Sequence, residues 1–347
     1  KAYHLLTDYT DDEELTESQK NIRMNNTASC LMMMGRYSDA RAVVEKCKER
    51  IDAQGEIKLL PRVLDTLGCL LIAEGFIDRG KYMLNLALEK LQDIEQNRSE
   101  LSAGVLCHLG TLARRSGDYD SAFELHSKCV SLAYSSSELY EVTMGTANMA
   151  ADMVRQLCFA EAEKYFEKAE NAAQKHNLQY VQTFIDFSRA WSSHLLNDKE
   201  GECKYIASAL KRAKKFHHNH FMIQEGRVSL PLFSTALENG IEVDYVFEVL
   251  VRIGEDSLPL IEKFICHNDP LMRKKVAFSM DKIGSSGALA LLRRMRYDSD
   301  EQVQRLVNKS LIRLRKSLNS HLEILTPRES EVLKCLAEGL SNVQIAE

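Results

Sequence analysis

From Asn21 onward, apolar residues return at intervals of three and four, the spacing that gathers them on one face of an α-helix. The pattern is cut at regular places. Gly35-Arg-Tyr37-Ser-Asp-Ala40, Gly75-Phe-Ile77-Asp-Arg-Gly80 and Gly117-Asp-Tyr119-Asp-Ser-Ala122 share one turn signature. Leu157-Cys-Phe159-Ala-Glu-Ala162 keeps the aromatic and the alanine without the glycine, and Asn197-Asp-Lys-Glu-Gly-Glu202 is weaker still. Successive turns lie 40, 42, 40 and 40 residues apart. A helix on either side of each turn, repeated at a fixed period of this size, predicts an all-α chain built as an α-solenoid. Helix pairs are expected over residues 21–254, the sixth running from Phe221 to Ile253 with its turn at Glu238-Asn-Gly240. Residues 1–20 form a lead-in whose acidic run, Asp11–Glu14, reads as a solvated turn.

Beyond Gly254 the period shortens, and residues 255–318 read as a second kind of repeat. Asp269 and Asp300 lie 31 residues apart, and at that offset Leu258/Leu289, Leu260/Leu291, Val276/Val307 and Met280/Leu311 superpose. Two such units leave apolar faces that need neighbours, so residues 21–316 are expected to form one curved rod.

These repeats resemble known ones. Val105-Leu-Cys-His-Leu-Gly110-Thr-Leu-Ala-Arg-Arg-Ser-Gly117-Asp-Tyr119 is similar to a tetratricopeptide (TPR) repeat, with a leucine–glycine pair on the first helix, echoed by Leu67-Gly68. The longer period resembles that of TPR-like regulators of the maltose-activator type. An Asp after one helix, followed by an amphipathic helix opening with Arg or Gln, resembles a short HEAT repeat.

In such a stack each pair buries apolar area only against its neighbours, which leaves a long concave face made by the first helices. Counted from the leucine–glycine position, the residues expected to line it are Asn25, Arg62, Asp65, His108, Arg114, Arg115, Asn148, Arg155, Trp191 and His194. A groove holding several arginines and the single tryptophan suits a peptide, a protein segment or a small anionic ligand. Any one of these residues also reads as an ordinary solvated polar group, and Trp191 as core.

The C-terminal stretch, Leu325–Glu347, carries two helix starts in succession. Thr326 caps, Pro327 suits the first helical position, and Glu329 closes a capping box ahead of the apolar stripe Val332, Leu333, Leu336 and Ala337. Gly339 ends that helix, and Ser341 with Gln344 opens the next, stapled by Leu340 and Ile345. Each cap contributes about 1 kcal/mol. Thr326, Arg328, Glu329, Val332, Leu333, Ala337, Gly339, Ser341, Ile345 and Ala346 resemble the opening of the LuxR-type DNA-binding domain. The resemblance implies DNA as a partner, a dimer on paired half-sites, and a recognition helix following Glu347. It also implies that Ser341, Asn342 and Gln344, at a helix N-terminus, position the DNA backbone. Related regulators can carry an ATP-hydrolysing switch domain. A first residue of Lys1 rather than Met is what a piece of a longer protein would show.

Composition narrows the setting. No apolar run approaches the length of a membrane span and no signal peptide is visible. The nine cysteines fall singly, without a CxxC pair, which fits reduced thiols in a cytoplasm. The net charge of −5 hides an asymmetry: residues 258–316 hold 13 Lys and Arg against 6 Asp and Glu, a local +7, so the rest sums to −12. A basic face there could hold phosphates, or its long side chains could simply cover apolar helix surface.

Catalytic signatures are missing. There is no G-x-x-x-x-G-K-[ST], no G-x-S-x-G and no H-E-x-x-H, and Gly284-Ser-Ser-Gly287 lacks the lysine of a phosphate cradle. His217-His218-Asn219-His220 places its rings in different directions on a helix, so no metal site is expected. Cys107 and His108 are adjacent and cannot face one another. The expectation is therefore a DNA-binding transcriptional regulator, not an enzyme and without a cofactor, whose repeats sense a ligand and control the C-terminal helix-turn-helix. The alternative is a TPR/HEAT interaction scaffold that never touches DNA.

Overall fold

The computed structural model describes residues 15–92 and 98–323; among them every regular element is a helix and there is no strand. Thr16 and Gln19 form a reciprocal capping box, so helix α1 (Glu17–Met33) begins before the apolar period does. It pairs with α2 (Tyr37–Gln54). The next pairs are α3 (Leu60–Ala73) with α4 (Ile77–Gln92) and α5 (Arg98–Arg115) with α6 (Tyr119–Ser135). Then come α7 (Leu139–Arg155) with α8 (Phe159–Lys175) and α9 (Gln179–Leu195) with α10 (Lys199–Phe216). Each first helix also packs on the first helix of the next pair, which is how a stack shares one core.

The turns explain the period. Gly35, Gly75, Gly117, Leu157 and Asn197 all have left-handed backbones, with φ of 70°, 91°, 83°, 62° and 57°. Each turn is closed by the same two bonds. At Gly117 they are Gly117 N–H to the Arg114 carbonyl and Asp118 N–H to the Ala113 carbonyl, both 3.0 Å; at Leu157 the equivalents are 3.1 and 2.8 Å. This is how a helix satisfies its last carbonyls. The connections between pairs do likewise at Gly55, Ser137, Asn177 and His217. From Gly117 to His217 a left-handed residue therefore recurs every 20 residues, and the 40-residue repeat is two equal helix-turn units.

Small residues let the paired helices approach. Ala122 and Ala162 are essentially inaccessible. A side chain at Gly68 would come within 2.9 Å of Leu84, and one at Gly110 within 2.6 Å of the His126 ring. Phe166, Ile206 and Leu210 fill the interior of the later pairs.

The sixth pair departs from expectation. The helix predicted from Phe221 is cut into α11 (His220–Glu225), a 3-10 turn at Gly226–Ser229 and α12 (Leu230–Glu238). The cause is local: Gly226 takes φ 50° and ψ −123°, which no continuing helix allows, and Pro231 restarts the helix at its first turn. The turn at Gly240 (φ 67°) then leads to α13 (Val243–Ile253), as the sequence indicates.

The chain divides into two compact units, residues 1–245 and 246–347, with the division inside α13. In the second unit, α14 (Leu258–Glu262), α15 (Pro270–Ile283), α16 (Ser286–Arg294) and α17 (Glu301–Glu323) follow in order. The 31-residue echo has a structural basis: Asp269 caps α15 through the Leu271 N–H at 2.9 Å, and Asp300 caps α17 through Gln302 and Val303 N–H, both at 3.0 Å.

Candidate functional site: the inner face of the first unit

Helix α11 touches α1, α2, α5, α7 and α9. Phe221 sits edge-on to Tyr180, Phe184 and Phe187, with ring centroids 5.7, 5.6 and 5.3 Å away. Gln224 accepts from Arg115 at 2.6 Å and donates to the Tyr37 hydroxyl at 3.3 Å. His220 Nδ1 also meets that hydroxyl at 3.3 Å. Glu225 accepts from Arg155 at 3.0 Å and lies 3.9 Å from Arg114. Arg155 in turn lies over the Trp191 ring, 4.7 Å from its centroid.

Behind Glu225 runs a buried polar chain. Arg114 donates to Asp152 at 3.0 Å and to Asn148 at 2.9 Å, and Asp152 accepts from His126 Nδ1 at 2.5 Å. The other His126 nitrogen bonds the Cys107 carbonyl at 3.1 Å. Burial pushes the His126 pKa down, but the Asp152 carboxylate more than offsets it and the ring titrates above its usual range. Arg114 is likewise held charged: desolvation opposes it, and Asp152 and Glu225 outweigh the desolvation. A buried charge is tolerated when paired and hydrogen-bonded in this way.

The residues expected to line the groove thus have different placements. Arg114, Arg115, Arg155 and Trp191 converge on α11 or the cavity beside it. Asn148 is buried, donating to the Met144 carbonyl while accepting from Arg114. Asn25 is buried on α1, and Arg62 is half-buried on α3. His194 stacks on Trp191 at 5.3 Å and pairs with buried Glu202 at 3.0 Å. Asp65 and His108 form their own ion pair at 2.7 Å.

Asp65, Cys69 and His108 bring one oxygen, one sulfur and one nitrogen within 4.8 Å of one another, a donor set of the kind zinc takes. Its chemistry favours a closed ion pair. Asp65 already accepts from His108, burial pushes the Cys69 thiol up, and metal binding and nucleophilic attack both need the thiolate. Cys69 is also only 8% exposed.

The sequence reading missed α11. The sequence pattern gives no metal site at His217–His220 and predicts a regular helix from Phe221. The available signal was Gly226 and Pro231, five residues apart within that supposed helix.

In the second unit, several basic residues are engaged. Arg273 is buried and holds Asp298 through two bonds of 2.8 Å while capping the His267 carbonyl at 2.7 Å. Arg294 pairs with Glu262, Arg313 with Asp281 at 2.5 Å, and Arg296 lies over Tyr297. These contacts hold α14–α17 together. Ser341, Asn342 and Gln344 lie outside the described residues.

Residues 323–347 match the family model of bacterial regulatory proteins, luxR family (GerE). No curated protein matches the chain. The family match supports a DNA-binding transcriptional regulator. Among the described residues no helix is long and apolar enough to cross a membrane.

Proposed function

We propose that this protein is a cytoplasmic transcriptional regulator in which the helix pairs of the first unit sense a peptide, protein or small ligand and control a C-terminal LuxR-type helix-turn-helix. The observation that carries the reading is the family match over residues 323–347. It works by binding and not by catalysis, through TPR-like pairs followed by HEAT-like ones. Ligand binding on the inner face biases the helix pairs between arrangements, since a ligand shifts such an equilibrium by its differential affinity. On DNA the protein is a dimer over paired half-sites, with Ser341, Asn342 and Gln344 holding the backbone.

The experiment is selection of bound fragments from a genomic DNA library by the full encoded protein, followed by mobility shifts over a salt series. The expected result is a recurrent two-fold site and an affinity falling steeply with salt, weakened by N342A and Q344A. Absence of any enriched site, with no retained DNA at low salt, would leave the protein as an interaction scaffold.

A further inference from the structure

We propose that α11 is a built-in occupant of the inner face, seated where an exchangeable peptide docks, and that this peptide carries an aromatic side chain one helical turn before a carboxylate. The proposal rests on the sensing role given above and names its ligand class.

Phe221 and Glu225 are four residues apart, so they share one face of α11. Phe221 enters the ring box of Tyr180, Phe184 and Phe187, and Glu225 takes Arg155 at 3.0 Å with Arg114 at 3.9 Å. Phe221, Gln224 and Glu225 meet their partners side chain to side chain, so a separate chain bearing the same groups can meet the same partners. Met222, fully buried, and the Ser229 Oγ bond to its carbonyl at 3.3 Å also hold the segment. With six residues, α11 is far below the roughly 12–15 at which an isolated helix holds in water. It is kept in place by what it touches. His217 at φ 60° and Gly226 at φ 50° interrupt the helix on either side of it.

A second observation shows that Glu225 leaves part of its seat unused. Beside it, a void of about 20 Å³ is lined by Arg114, Arg155, Phe184, Phe187, Ser188 and Trp191 among others. The Nε1 of Trp191, one of these lining residues, is buried with no hydrogen-bond partner among the described residues. A buried donor left without a partner is destabilising. A ligand carboxylate that serves both Arg155 and the Trp191 N–H therefore gains a bond that the internal segment does not make, which is the differential affinity an exchange requires.

The receiving side chains come from Tyr37 of α2, Arg114 and Arg115 of α5, Arg155 of α7 and the rings of α9. Exchange of the occupant is therefore felt by four helix pairs at once.

The test titrates a fluorescein-labelled peptide of residues 217–229 against the 347-residue chain and against its E225Q variant. Retention of the internal segment is followed by hydrogen exchange over 217–229 and by Trp191 emission. In E225Q the exchange of that segment is expected to rise on the order of tenfold, with a red shift of Trp191. The peptide is expected to bind E225Q on the order of tenfold more tightly than wild type, because less of the site is already filled. R155A in the E225Q background should abolish that gain. Unchanged exchange in E225Q, or peptide binding indifferent to R155A, would overturn the proposal. Should circular dichroism show E225Q unfolded, Q224A loosens the segment from Arg115 without touching the charge pair, and the same readings decide. Peptide exchange that persists while DNA binding fails would overturn the regulator reading, whereas DNA binding with no exchange would overturn only this one.

Discussion

Arg114 and Asp152 meet at 3.0 Å with neither side chain accessible to solvent. One comes from α5 and the other from α7, so the pair ties two successive first helices together beneath the α11 seat. Asp152 is also fixed from behind by His126 of α6, and Arg114 is oriented by Asn148 of α7. The Arg114 guanidinium, 3.9 Å from Glu225, is therefore anchored from behind.

Removing Arg114 leaves the buried Asp152 carboxylate with His126 as its remaining charged partner, so R114M is expected to destabilise the first unit by about 1–3 kcal/mol, measured by urea unfolding. D152N in the same chain should recover part of that loss, because the two residues are coupled. Strict additivity of the two changes would show that the pair does not act as a unit.

The helix pairs were legible because their punctuation is chemical. Gly35, Gly75 and Gly117 mark left-handed turns that glycine alone enters cheaply, and the spacing carried the pattern on to Leu157 and Asn197 after the glycine was lost. The turns at Ser137 and Asn177 were hidden, because residues that tolerate a left-handed backbone also occur freely elsewhere. Arg114, Arg115, Arg155 and Trp191 were legible as first-helix residues by counting along the repeat. What lies against them was not, since the contact joins residues as far apart as Tyr37 and Gln224, and no local period encodes it. His126 and Asp152 escaped for a different reason: each sits in an apolar stripe, where a polar residue shows its purpose only through its partner.

Leu157 supplies a stability prediction of opposite sign. Its φ of 62° is a left-handed backbone on a leucine whose side chain is 63% exposed, so packing returns little. The left-handed conformer is unfavourable by roughly 1–2 kcal/mol for such a residue, partly offset by the greater freedom of glycine when unfolded. L157G should raise the unfolding free energy by about 0.5–1 kcal/mol, seen as a higher melting temperature. A lower one would mean that the exposed side chain contributes more than its surroundings suggest.

Gly110 is a third case, where space decides. A Cβ there would fall 2.6 Å from His126 Nε2, and that ring is pinned by Asp152 at 2.5 Å and the Cys107 carbonyl at 3.1 Å. It cannot step aside without breaking the chain of bonds to Arg114. G110A is expected to destabilise by about 1–3 kcal/mol, although alanine is the better helix former. At Gly104, on the same helix with nothing within 4 Å of the added atom, G104A should be neutral or stabilising.

Acidity should act first on the α11 segment. Burial pushes His220 down to about 3 and His218 down to about 4, from an ordinary 6.5. The charges near His220 are His108 and Arg115, both of which oppose a proton, and its ring contact is Tyr37. His218 faces Arg212 and His217, the Thr183 hydroxyl and the rings of Tyr180 and Phe216. A depressed histidine pKa means that the docked segment refuses a proton which the released segment accepts below about 6.5. Docking is thus fully favoured above that pH and weakens steadily as the pH falls toward 4, in the direction opposite to a histidine held by a carboxylate. His108 is such a case: burial opposes its charge, but Asp65 outweighs burial and the pKa lies well above the ordinary value, so its pair stays closed through the same range. Trp191 emission should therefore shift red on acidification from pH 7 to 5 while the overall helicity by circular dichroism holds, and H218Q with H220Q should flatten that shift. A shift that survives both substitutions would place the titrating group elsewhere.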